Sequence, residues 1–192
     1  MNANENARGS DVVGVGVMAG LHEKAFYRTE WRIRRYRDDA AFERGESTPV
    51  VDPMTGELLP AESVVEGNIL LNEGIGLLLD LLIVAGGTGY NNANARIGVG
   101  DSATGESAAH TALQAATNKL WKAMQATYPQ RSAQTVTWRS QFTSAEANYA
   151  WNEFTITNAA DDSGTNLNRK VSAQGTKAGG QTWTVDVAIT IS

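Results

Sequence analysis

The chain contains no cysteine, which excludes a disulfide framework, a thiol nucleophile and a thiolate metal site. Its 192 residues include only two histidines, His22 and His110. They lie far apart and neither stands in a metal-binding spacing such as H-x-x-x-H, so no zinc site is expected. Proline is scarce, with four residues, and three of them (Pro49, Pro53, Pro60) fall in one short stretch. Charged residues make up only 19% of the chain, and the net charge is −5. Since a phosphate-binding face normally tips a small domain basic, bulk or specific nucleic-acid binding is not expected. The strongest apolar stretch, 69–85, is broken by Asn72, Glu73 and Asp80 and is too short and polar to span a bilayer, so no membrane partner is expected. The first ten residues lack the basic-then-apolar layout of a secretory signal, so nothing directs export from the cytoplasm in which the chain is made.

What is present is a core and a polar, weakly charged surface. Hydrophobic residues account for 42% of the chain, enough to bury a core. A surface built on Thr, Ser, Asn, Gln and Gly suits permanent contact with protein neighbours. The clearest pattern lies at 181–192, where Trp183, Val185, Val187, Ile189 and Ile191 alternate with Thr182, Thr184, Asp186, Ala188 and Thr190, the period of a strand buried on one face. Further strands are expected at 31–36, 95–100, 132–143, 148–157 (with a bulge near Asn152 or Glu153) and 167–176. Turn signals about every ten to twelve residues in this half indicate a sandwich or meander. A buried helix is expected over 69–85, ended by Gly86-Gly87, with Ile75, Leu78, Leu79 and Leu82 facing the core. A second is expected within 104–128, where Leu113, Leu120, Met124 and Tyr128 have helical spacing before Pro129. The expected fold class is α+β but β-dominated, an antiparallel β-sandwich core with one or two helices and an extended N-terminal arm. Three segments follow: an arm at 1–45, a proline-containing connector at 46–66, read as a connector or a hairpin with its turn at 52–56, and a β-rich core domain at 67–192.

Motifs that would carry chemistry are weak. There is no G-x-S-x-G to place a serine on a strained turn. Gly14-Val15-Gly16-Val17-Met18-Ala19-Gly20 has its third glycine one residue late for a dinucleotide loop, and Ile97-Gly98-Val99-Gly100-Asp101 lacks the Lys-Ser/Thr ending of a phosphate loop. Asp161 and Asp162 offer hard oxygens, but their register does not match a calcium loop, and a hairpin tip is the simpler reading. Glu153, between Trp151 and Phe154, needs a cation or amide, with Arg139 or Arg169 as the structural partner. No catalytic residue, metal ligand or cofactor is assigned, and an enzyme is not expected. One cluster is a candidate partner-binding site: Arg28, Trp31, Arg32, Arg34, Arg35, Tyr36 and Arg37. Arginine with aromatics is the composition of protein–protein hot spots. The acidic residues that follow, Asp38, Asp39 and Glu43, also permit a solvated, self-paired face.

Residues 66–192 resemble a set of small structural proteins of tailed bacteriophages. The resemblance is carried by Glu66-Gly67-Asn68-Ile69-Leu70-Leu71-Asn72-Glu73-Gly74-Ile75, Ile97-Gly98-Val99-Gly100-Asp101-Ser102-Ala103-Thr104 and Thr111-Ala112-Leu113-Gln114-Ala115. Asn148-Tyr149-Ala150-Trp151-Asn152-Glu153-Phe154, Leu167-Asn168-Arg169-Lys170 and Gly175-Thr176-Lys177 complete it. It implies a non-enzymatic virion component: a head decoration (cement) protein on the capsid exterior, binding the major capsid protein and its own copies as a homo-oligomer, a trimer at threefold junctions. A tail, collar or fibre-associated protein is the alternative. Residues 1–65 fall outside the resemblance. A carbohydrate-binding sandwich is a further alternative, and it would need Trp138, Trp151 and Trp183 exposed to stack on sugars.

Overall fold

The computed structural model describes residues 27–192. The expected arm as far as residue 26, together with His22 and the glycines at 14–20, lies outside the described residues. The elements run β1 (Tyr27–Tyr36), α1 (Asp39–Glu43), β2 (Val50–Val51), β3 (Leu58–Leu59), β4 (Glu62–Glu66), β5 (Ile69–Leu70) and α2 (Asn72–Leu82). They continue with β6 (Arg96–Gly100), β7 (Lys119–Ala123), β8 (Gln130–Ser132), β9 (Thr135–Phe142), β10 (Glu153–Thr157), β11 (Asn166–Val171) and β12 (Thr182–Ile191). Two five-stranded antiparallel sheets, ordered β4-β1-β12-β9-β8 and β5-β11-β10-β6-β7, form the layers of a sandwich, and β2 and β3 make a separate hairpin. The fold is therefore the expected β-dominated sandwich with two helices.

Alternation decides which side chains fill the space between the layers. On β12, Trp183, Val185, Val187 and Ile189 enter the core. Trp31 and Ile33 join them from β1, Trp138 and Phe142 from β9, Ile97 and Val99 from β6, and Phe154 and Ile156 from β10. Trp151 stands at the centre, edge-on to Phe142 at 4.8 Å and to Trp183 at 4.9 Å between ring centroids. Trp138, Trp151 and Trp183 are all buried, so none can form the sugar-stacking platform that a carbohydrate-binding module would require.

Three expectations need correction. The arm cannot extend to residue 45, and 46–66 is not a bare connector but carries a hairpin, the other reading of that stretch, followed by β4. β1 pairs with β12 through ten consecutive residues, from Tyr27↔Ile191 to Tyr36↔Thr182, and β4 closes the other edge of β1. Its apolar alternation places Trp31 and Ile33 in the core, which makes 27–66 part of the same domain.

The helix expected within 104–128 is absent. Residues 101–118 form an irregular strap and 119–123 form β7. A helix would need its own backbone groups, and the strap spends them elsewhere: the N–H groups of Gln114 and Ala115 go to Glu153, and the Thr104 and Thr111 carbonyls go to Arg169 and Asn166.

The third correction concerns α2. Gly74 and Leu77, not the leucine and isoleucine face expected, are its buried residues. A Cβ on Gly74 would lie 2.5 Å from the Leu167 carbonyl oxygen, so glycine lets the helix backbone settle directly on β11. That approach rotates Ile75, Leu79 and Leu82 to the outside, where they remain exposed. The helix ends at Leu82, before the glycines, and Val84 takes a left-handed φ of 58°.

Candidate functional site

The most concentrated group of polar side chains in the interior surrounds Glu153 and Arg169, on the adjacent strands β10 and β11. Both side chains are fully buried. Arg169 donates from Nε to Glu153 Oε2 at 2.8 Å, and its Nη2 stands 2.7 Å from the same oxygen. The remaining guanidinium hydrogens reach the carbonyls of Thr104 (2.9 Å) and Gly105 (3.2 Å), and Nη1 lies 3.3 Å from His110 Nδ1. Glu153 in turn accepts from the backbone N–H of Gln114 (2.9 Å) and Ala115 (2.7 Å). The pair thus ties both ends of the 101–118 strap to the sheet. Gly100 makes room for it, because a Cβ there would fall 2.6 Å from Glu153 Oε1. Of the two cations offered to Glu153, Arg169 is the partner, whereas Arg139 binds Asp186 at 2.5 Å.

Sealed from solvent and hydrogen-bonded at both carboxylate oxygens and at every guanidinium nitrogen, this ion pair has the geometry of an internal cross-link. Neighbouring groups behave alike. Glu73 accepts from the Asn166 backbone N–H at 2.5 Å, and the Asn166 side chain donates to the Thr111 carbonyl at 2.7 Å. Asn152 donates to the Asp101 carbonyl, Tyr149 to the Val99 carbonyl and Lys170 to the Glu66 carbonyl.

Lys177, almost fully buried, donates to the Thr143 carbonyl (2.8 Å), the Glu146 carbonyl (2.8 Å) and Asn148 Oδ1 (2.7 Å). Burial pushes its ammonium down to about 8, a shift that Asp39 and Glu146 oppose. Asp39 accepts from the Ser144 and Thr182 hydroxyls, and those bonds hold its carboxyl below the usual range. Sequence reasoning assigned no role to Lys177 or Asp186 and read Asp39 only as part of a solvated, self-paired face, whereas it bonds Ser144 and Thr182. Lys177 does close the last motif of the resemblance, which was the one available signal.

The arginine and aromatic cluster is divided by the strand period. Trp31, Arg35 and Tyr36 are buried. Arg35 lies over the Trp183 ring at 4.6 Å and donates to the Pro60 carbonyl, Ser63 Oγ and the Gln174 carbonyl, and burial pushes it down to about 10. On the opposite face of β1, Arg28 pairs with Glu66, Arg32 with Glu30 and Glu62, and Arg34 with Glu62 and Asp186, while Arg37 pairs with Asp38 just beyond the strand. Three of the seven candidates therefore cannot meet a partner without unfolding the sheet. The other four stand paired with carboxylates on the outer face of the sheet or just beyond it.

Among the described residues no group of three or more histidine, aspartate or glutamate side chains is gathered as a metal site would need, and no helix is long and apolar enough to cross a membrane. Asp161 turns its carboxylate onto the Ser163 N–H, and Asp162 pairs with Lys119, as befits the tip between β10 and β11. One concavity is chemically distinct. It has a volume of about 490 Å³ and is walled by Tyr27, Leu70, Leu78, Leu81, Tyr90 and Trp138 among others.

Taken together, the layers and their internal bonds define an antiparallel β-sandwich braced by buried polar cross-links. No protein-family model, no curated protein and no solved structure matches the chain.

Proposed function

We propose that this chain is a non-enzymatic structural protein of a tailed-phage particle, a head decoration protein that binds the major capsid protein lattice and its own copies. The observation that supports the reading best is where the resembling segments meet. Asp101, Thr104, Ala115, Asn152, Glu153 and Arg169 come from four separate motifs, yet all bond around the buried pair or the strap it holds. The polar residues that carry the resemblance thus hold the scaffold together. A scaffold whose buried charges are consumed in bracing suits a part that must keep its shape within a loaded shell.

The test is to purify particles that carry the chain, release proteins stepwise with mild denaturant and count copies by quantitative mass spectrometry. Hundreds of copies per particle, released together with loss of head stability, are the expected result. A few dozen that stay with isolated tails would move the protein to the tail or fibre apparatus. Absence from the particle would overturn the virion reading.

A further inference from the structure

The outer face of α2 carries Ile75, Leu79 and Leu82, and Ile83 and Val84 continue it past the helix end. Spacings of three and four residues put these side chains in one stripe along the helix, opposite the buried Gly74 and Leu77. A helix face turned to water is normally polar. Among the described residues, however, Leu82 is 77% and Ile83 74% exposed, and Asp80 is the only charged residue in 74–87. Leu78, at the border of the stripe, also belongs to the wall of the 490 Å³ groove, so the apolar surface runs on from the helix to the groove. Contiguous exposed apolar surface of this kind marks a place where another polypeptide sits.

The extent, shape and polarity of this face fit a second copy of the chain. Ile75, Leu78, Leu79, Leu82, Ile83 and Val84 together leave about 700 Å² uncovered, near the roughly 800 Å² that each partner gives to a stable interface of standard size. The stripe is complementary to itself when two helices run antiparallel about a two-fold axis at Leu79. Leu79 then meets its own mate, Ile75 comes opposite Leu82, and Ile83 comes opposite Gly76. Glycine weakens a helix interior, and nothing within the subunit requires it at this position, because Gly76 is exposed and a Cβ there would meet nothing within 4 Å. A hollow that receives Ile83 of the facing helix accounts for it. Antiparallel pairing also sets the positive N-terminal end of each helix beside the negative C-terminal end of the other. Neither end is compensated by its own side chains: Leu71 supplies no side-chain cap, and the last turn has no basic residue.

We infer that two copies of this chain pair through α2, antiparallel, about a two-fold axis at Leu79. This names the surface for the self-association in the proposed function and rests on that part of the reading. Sedimentation equilibrium of the full-length chain at about 50 μM, above the micromolar Kd of the weaker interfaces of this size, is expected to give twice the 20.5 kDa of one chain. Leu79→Glu with Leu82→Glu should give the single-chain mass while the urea midpoint and near-ultraviolet circular dichroism stay as in the wild type, since both side chains are exposed. Because the chain lacks cysteine, a disulfide formed by a single-cysteine variant must join two copies. Mild oxidation should link Leu79→Cys into a reducible dimer and leave Val51→Cys, on the β2–β3 hairpin, unlinked. A wild-type mass of one chain would show that the face is covered from elsewhere in the chain or by a different protein, and a mass of three chains would rule out two-fold pairing. Either mass, or a dimer that survives both glutamates, overturns the inference. All these measurements use purified protein, so their failure is separate from absence of the chain from particles, which would overturn only the virion reading.

Discussion

Replacing Arg169 with methionine tests whether the buried ion pair braces the fold. The substitution keeps most of the side-chain volume but removes every donor. Glu153 would keep its charge and its two backbone N–H bonds while losing the cation paired with it, and the carbonyls of Thr104 and Gly105 would lose their guanidinium donors. Breaking a fully buried pair from one side costs about 3–5 kcal/mol, a large share of the roughly 5–15 kcal/mol that holds a domain folded. For a chain of this size that corresponds to a melting temperature lower by about 10 °C. Glu153→Gln should cost a similar amount, because an amide presents its own N–H₂ towards donors that both need an acceptor. The double variant buries no charge, so it should cost less than the two singles summed, by about 2 kcal/mol. Urea unfolding followed by tryptophan fluorescence gives the three values, and limited proteolysis should show new cleavage within 101–118. The reasoning fails if Arg169→Met costs under about 1 kcal/mol, if the costs simply add, or if the strap keeps its resistance.

Gly74→Ala should destabilise by about 1–3 kcal/mol in a thermal melt, since the added methyl meets the backbone of β11 rather than a side chain that could yield. Lys177 gives a pH effect of defined sign. Its folded-state value of about 8 lies below the ordinary lysine value of about 10.4, so between these limits the unfolded chain binds more protons and stability rises with pH. Wild type should therefore gain up to about 2 kcal/mol over Lys177→Met between pH 8 and pH 10, read from urea midpoints at matched ionic strength. The arginines of the candidate partner-binding site should separate in the same assay. Arg35→Met should cost about 2–4 kcal/mol, because it strands buried acceptors, whereas Arg37→Ala, on a mostly exposed pair, should stay within about 0.5 kcal/mol.

The sheets were legible where polar and apolar residue types alternate along a strand. In β12 and β9 the period of two is written in residue type, so both strands were located from the sequence. β1 was harder, because its outward positions are Arg28, Glu30, Arg32 and Arg34, whose charge masks the apolar alternation of Trp31 and Ile33. The helical spacing of Leu113 and Leu120 was coincidental. Leu113 is a buried residue of the strap and Leu120 lies on a strand, and the bonds that prevent a helix there come from Glu153 and Arg169, some forty to sixty positions away. On α2 the apolar content was read correctly, but its orientation follows from Gly74 meeting Leu167, a long-range contact that periodicity does not encode. Arg169 was one of two partners foreseen for Glu153, and the choice was made by β10 and β11 being neighbours.

The pairing of β1 with β12 also governs when the protein can fold. These strands stand at opposite ends of the described chain, and β12 lies between β1 and β9 in its sheet. On the ribosome β1 emerges first and must wait, with Trp31 and Ile33 uncovered, until β12 has cleared the exit tunnel. Throughout synthesis β1 and β9 each present a strand edge that matches the β12 of another finished copy as well as their own. High-level expression therefore invites strand exchange between nascent and completed chains, and slowing translation or lowering temperature should favour the correctly closed molecule.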